Sequence, residues 1–215
     1  MAGKPNPATE ADTHLAVGVA TTAWGNIEVL LHHVFVQAVD PSGIGGGAAA
    51  RAFWEVVSFK GKIDMTHAAV SYATRNNPGL HARWVNLRKK ATRESKKRNE
   101  LAHGEVMRES FNKGGVETHS EVVFRPYSFK EIYKRQDNRE YAPLKRTAQD
   151  IIQFVGKLYE LSDDIKRFLY DLRTMQAEAL PEQLERQLDR VRSGRYHPKG
   201  PLQSKTAQPD EPSPE

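Results

Sequence analysis

Leu80-His81-Ala82-Arg83-Trp84-Val85-Asn86-Leu87-Arg88-Lys89-Lys90-Ala91-Thr92-Arg93-Glu94-Ser95-Lys96-Lys97-Arg98-Asn99-Glu100-Leu101-Ala102-His103-Gly104 is a long run without proline or internal glycine. Its apolar residues return at helical steps, so it reads as one helix from about Leu80 to His103, with Gly104 as the left-handed residue that ends it. Stepping from Leu80, the buried face takes Trp84, Leu87, Ala91, Ser95, Arg98 and Ala102, turning from apolar to polar along its length. Arg98 therefore points where a core residue belongs. A guanidinium in that place is costly unless it is paired or stands at a cleft or subunit interface.

Working outward, the segments before this helix are also helical. From Thr9 to Val39, Trp24, Ile27, Leu31 and Val34 recur at steps of three and four. Asp40-Pro41-Ser42-Gly43-Ile44-Gly45-Gly46-Gly47 breaks that pattern, and Ala52, Phe53, Val56 and Val57 mark a short second helix over Ala48 to Val57. A third, Lys60 to Thr74, is closed by Arg75-Asn76-Asn77-Pro78-Gly79. After Gly104, the alternating stretches Glu105 to Glu109 and Glu121 to Arg125 predict a small β-hairpin about Asn112-Lys113-Gly114-Gly115. Pro126 to Tyr141 is charged and unpatterned. Ala148, Ile151, Ile152, Val155, Leu158, Ile165, Leu169 and Leu172 form another helical stripe, and Pro181 can open a separate short helix over 181–193. Five prolines from Arg195 onward and few large apolar side chains predict a disordered tail over 195–215. The expectation is one all-α domain over 9–175, a bundle of about five helices with a hairpin insert.

Composition narrows function. The 215 residues contain no cysteine, which removes disulfides, thiolate metal ligands and cysteine nucleophiles. Met1 to Thr13 lacks the apolar core of a secretory signal, and Leu15 to Val39 is too interrupted by polar residues for a membrane span, so a cytoplasmic location is expected. His67, His81, His119 and His197 lack ligand spacing, His32-His33 lacks the H-E-x-x-H pattern, and Gly43 to Gly47 is not followed by Lys-Ser or Lys-Thr. No metal or cofactor is therefore expected. A formal charge of +5 favours an anionic partner. The charge is concentrated between Arg83 and Arg98, where Arg83, Arg88, Lys89, Lys90, Arg93, Lys96, Lys97 and Arg98 face the single acid Glu94.

Asn99 and His103, four apart, share one helix face, and with Arg98 they could serve one pocket. An imidazole moves protons near neutral pH, and a guanidinium stabilises a crowded phosphorane through its planar fork. That is the equipment for attack by an RNA 2′-hydroxyl on its own phosphodiester. The bland alternative is a surface salt bridge and a capping histidine.

The string Arg98-Asn99-x-x-x-His103 followed by Gly104, at the end of a long helix and preceded by a helix carrying Trp24-Gly25-Asn26-Ile27-Glu28, resembles the HEPN superfamily. The resemblance implies a HEPN-like helical bundle and a metal-independent endoribonuclease, in toxin, phage-defence or related systems, that builds its site across a homodimer. It implies Arg98, His103 and Asn99 as the catalytic residues. Glu28 and His32, which share a face of the first helix, are candidates to support them. Lys89, Lys90, Arg93, Lys96 and Lys97 are candidates to guide RNA. An antitoxin or sensor protein is a further expected partner, although Glu105 stands where toxins paired with a nucleotidyltransferase carry tyrosine. The alternative is a catalytically inactive HEPN-like module that binds RNA or another protein.

Overall fold

The computed structural model describes residues 9–42, 46–113, 115–126 and 146–192. In chain order these form α1 (Glu10–Val39), α2 (Gly46–Glu55), α3 (Phe59–Ala73), α4 (Pro78–Ala102), β1 (Gly104–Lys113), β2 (Val116–Pro126) and α5 (Ala148–Arg192). The expected tail over 195–215 and the stretch from Tyr127 to Tyr141 lie outside the described residues. The chain divides into two compact units, Met1–Thr174 and Met175–Glu215. The first unit holds α1 to α4, the hairpin and the larger part of α5.

α1 begins with a capping box: Asp12 N–H donates to Thr9 Oγ1 at 3.1 Å and Thr9 N–H donates to Asp12 Oδ2 at 2.8 Å. Its buried stripe runs Ala16, Ala20, Ala23, Trp24, Ile27, Leu31, Val34 and Ala38. α2 turns back along α1, with Phe53 5.8 Å from Phe35 and Trp54 5.5 Å from His32, ring centre to ring centre. α3 consequently runs parallel to α1, pairing Phe59 with Trp24 and Lys62 with Glu28. α4 is antiparallel to α3, as the Arg88–Asp64 ion pair at 2.9 Å and the Trp84 Nε1 to His67 Nδ1 hydrogen bond at 3.2 Å show. α5 is antiparallel to α4, matching Lys90 with Asp164, Trp84 with Phe168 and Lys97 with Phe154.

Trp84 is thus the centre of the bundle, fully buried between His67 of α3 and Phe168 of α5. Ile151, Leu158, Ile165 and Leu172 supply the rest of the α5 stripe. Each fully buried side chain of this size contributes about 1.5–3 kcal/mol, which is how a helix bundle of mostly polar composition stays closed.

The hairpin is antiparallel, pairing Gly104 with Pro126 and Val106 with Phe124, with an irregularity between Phe111 and Asn112. It is longer than the alternating residues suggested. Gly115, at φ 81°, makes the left-handed turn. Phe124 is buried and exchanges backbone hydrogen bonds with Arg146, 2.7 and 2.9 Å, so the chain returns to the hairpin before α5 begins.

Two expectations are corrected. Gly104 is not a left-handed helix terminator. It opens β1, and its lack of a side chain is needed because a Cβ there would strike the Phe124 ring and lie 2.8 Å from the Arg125 carbonyl oxygen. Pro181 does not start a new helix but lies inside α5, at the cost of one backbone donor.

Candidate functional site

The end of α4 decides the site. Its buried stripe starts as expected with Leu80, Trp84, Leu87 and Ala91, then takes Glu94 and Leu101 in place of Ser95 and Ala102. The spacing is nearer seven residues for two turns, which suits a helix packed antiparallel between neighbours. Arg98 continues the line of Trp84 and Ala91 yet is only half-buried. The reason is geometric. Asp64 of α3 pairs with Arg88, so Phe59, where α3 begins, stands near the level of Arg93. The last two turns of α4 extend past α3 and leave this face partly open.

Glu94 is 2% exposed and accepts from Arg93 Nε at 2.7 Å and Lys97 Nζ at 2.9 Å. Burial pushes its carboxyl up, but the hydrogen bonds and charges of Lys97 and Arg93 outweigh burial and hold it below the usual glutamate range. The helix ends at His103, whose backbone N–H reaches Glu100 O at 3.4 Å with φ −124° and ψ 37°.

Arg98 Nη1 donates to Asn99 Oδ1 at 3.3 Å. Asn99 and His103 are exposed, and no hydrogen bond or ion pair engages the His103 side chain among the described residues. Five residues separate Arg98 from His103, about 140° around the helix at roughly 100° per residue. α4 ends at Ala102, however, so His103, with φ −124° and ψ 37°, has left that helical path.

The basic run is less free than its sequence suggests. Lys90 pairs with Asp164, Arg88 with Asp64, Arg83 with Asp171, and Arg93 and Lys97 with Glu94. Lys89 and Lys96 have no ion pair among the described residues. These two lie fourteen and seven positions before His103, and seven residues return to nearly the same face with a drift of about 20°. The exposed edge of α4 thus presents Lys89, Lys96, Asn99 and His103 in one strip.

Glu28 and His32 belong elsewhere. Glu28 accepts from Trp24 Nε1 at 2.9 Å and from Lys62 Nζ at 2.8 Å, with the Lys62 side chain only 8% exposed and its ammonium 4.6 Å from the Trp54 ring centre. His32 lies against Phe53 and Trp54, its Nε2 buried without a hydrogen-bond partner. Burial, then the neighbouring His33, lowers its pKa. Lys62 stands two residues before Asp64, hence near the level of Lys90, and Arg98 is eight residues further, about 12 Å along the axis. The contacts of these residues brace α1 to α2 and α3.

The sequence reading missed three polar anchors. Lys62 and Glu94 are buried charges whose partners lie on another helix or one turn away. His67 was read only as a scattered histidine, but its Nδ1 accepts from Trp84, so its proton sits on Nε2; burial, then Arg88 and His81, lowers its pKa. Among the described residues, no cluster of three or more His, Asp or Glu side chains could hold a metal ion, and no helix is long and apolar enough to cross a membrane. No family model, curated protein or solved structure matches the chain.

Proposed function

We propose that the protein is a metal-independent endoribonuclease of HEPN type, acting as a homodimer in a toxin or defence role. Arg98 of each protomer neutralises the phosphorane, His103 moves protons, and Asn99 orients one or the other. With two copies at a two-fold axis, one imidazole accepts the proton of the RNA 2′-hydroxyl while the other protonates the leaving 5′-oxygen. The products are a 2′,3′-cyclic phosphate and a 5′-hydroxyl.

The observation that carries this reading is the strip of Lys89, Lys96, Asn99 and His103, open to solvent beside a half-buried Arg98. The resemblance of Arg98-Asn99-x-x-x-His103 to the HEPN motif supports a dimeric site, since that family brings one such pair from each protomer to the cut phosphate. An antitoxin or sensor protein that covers the strip would restrain such an enzyme.

Labelled RNA incubated with the protein in excess chelator tests the reading. Cleavage with cyclic-phosphate ends, abolished in His103→Ala, is the expected result. Identical RNA after treatment with either protein sinks it. The second reading, a silent RNA-binding or protein-interaction module of the same fold, is favoured by the His103 imidazole, which no side-chain or backbone partner orients among the described residues. It is distinguished by salt-sensitive RNA binding that survives His103→Ala without cleavage.

A further inference from the structure

On another side of α4, a recess of about 200 Å³ opens between α4 and α5, lined by Arg83, Asn86, Leu87, Lys90, Asp164 and Arg167. Lys90 Nζ and Arg167 Nη2 each lie 2.7 Å from Asp164, one on each carboxylate oxygen. Arg83 pairs with Asp171 further along α5. Two carboxylates thus face three cations, and one positive charge is left over. Most of the N–H donors of the two guanidiniums also remain unused, since an arginine carries five. The side chains of Arg83, Lys90 and Arg167 are 52%, 51% and 70% exposed, so each can reorient without disturbing the core. Asn86 is exposed with no side-chain partner among the described residues, and buried Leu87 forms the floor.

We infer that this recess binds a phosphate group. Two guanidinium forks, an ammonium and an amide above an apolar floor match a tetrahedral oxyanion, and the guanidiniums do so through paired N–H donors. The volume falls below the roughly 300 Å³ at which sites for drug-sized molecules begin, which suits one or two phosphoryl groups. Asp164 acts as the internal stand-in: its carboxylate holds Lys90 and Arg167 together until a stronger oxyanion replaces it. Around α4 from the recess, Arg93, Lys89 and Lys96 lead toward His103, about 20 Å along the axis from Lys90. That path makes the backbone of an RNA strand one source of the phosphate, a point that rests on the ribonuclease reading. A free phosphate compound is the other.

The test uses the full chain carrying His103→Ala, so that no RNA is cut. Its probes are a short labelled single-stranded RNA, followed by fluorescence anisotropy, and inorganic pyrophosphate, followed by the rise in Tm. Against this background, Arg83→Gln with Arg167→Gln lowers RNA affinity about tenfold and removes the pyrophosphate-induced rise in Tm. Loss of RNA binding alone assigns the site to a strand backbone, and loss of the pyrophosphate effect alone assigns it to a free phosphate compound; both support the inference. Asp164→Asn separates ligand binding from a structural role. Removing the competing carboxylate tightens binding severalfold, whereas a purely structural ion pair predicts weaker binding or none gained. Unchanged binding of both probes in the folded double variant overturns the inference, as does binding by Asp164→Asn that is no tighter than that of its parent. Failure of the wild type to cleave RNA would remove the nuclease reading and leave this one standing.

Discussion

Replacing Glu28 separates a structural brace from a catalytic support. Glu28→Ala leaves the Lys62 ammonium, whose side chain is 8% exposed, without its partner, and leaves Trp24 Nε1 without an acceptor. Removing one member of a buried ion pair costs about 3–5 kcal/mol. The Glu28 side chain is 19% exposed, so water reaches the vacated place and the lower end applies. For a domain of this size each kcal/mol lowers Tm by about 2–4 °C, giving a fall near 10 °C. Glu28→Gln keeps an acceptor for Trp24 but not the charge, and falls between wild type and Glu28→Ala. Glu28→Leu with Lys62→Met removes both charges and costs less than Glu28→Ala, because no uncompensated ion remains. Thermal unfolding followed by circular dichroism, paired with RNA cleavage well below each Tm, reads the series. A Tm within about 2 °C of wild type together with lost cleavage would refute the reasoning and make Glu28 a support of the catalytic residues.

Three further outcomes are expected. The pKa values of His32 and His67 lie below the ordinary imidazole value. The unfolded chain therefore takes up protons first as pH falls through about 6.5, and stability drops between pH 7 and 5; an unchanged Tm across that window would contradict the half-buried, neutral placement of both rings. Gly104→Ala destabilises by about 1–3 kcal/mol by forcing a Cβ into the Phe124 ring, and Gly104→Asn, which a left-handed cap would tolerate, costs at least as much; a neutral Asn variant in denaturant melts would restore the helix-terminator reading. Mixing Arg98→Ala with His103→Ala protein makes about half the dimers mixed. Each mixed dimer holds one intact Arg98 and one intact His103 and so lacks the second imidazole that the proposed proton transfers use; RNA cleavage no higher than in either variant alone is expected, and cleavage above both counts against the two-imidazole mechanism.

How much of this was visible in the residues depends on how local each cause was. The helical stripe of α1 was legible because Trp24, Ile27 and Leu31 obey one period and nothing else competes. The hairpin was legible from its turn residues. Gly104 misled because two reasons for glycine look alike in sequence: positive φ, and the close approach of a residue twenty positions away, Phe124. Only the fold distinguishes them. Pro181 misled in the same way, since a proline that opens a helix and one tolerated inside it have the same neighbours.

The site shows a different limit. Spacing placed Arg98 on the line of Trp84 and Ala91, and that line does face inward, but sequence carries no record that α3 begins near the level of Arg93. The charge run looked like one continuous track because its acids, Asp64, Asp164 and Asp171, lie on α3 and α5. Once those pairs are formed, the cations divide by role. Arg88 joins helix to helix, Arg83 and Lys90 edge the recess with Arg167, and Lys89 and Lys96 stay on the strip that ends at His103. Arg98 lies within α4 but His103 lies past its end, at φ −124° and ψ 37°, so the helical period does not carry from one to the other. Spacing alone therefore does not fix how the imidazole stands to the guanidinium, and the sharing of the two between chains is what the mixed dimers test.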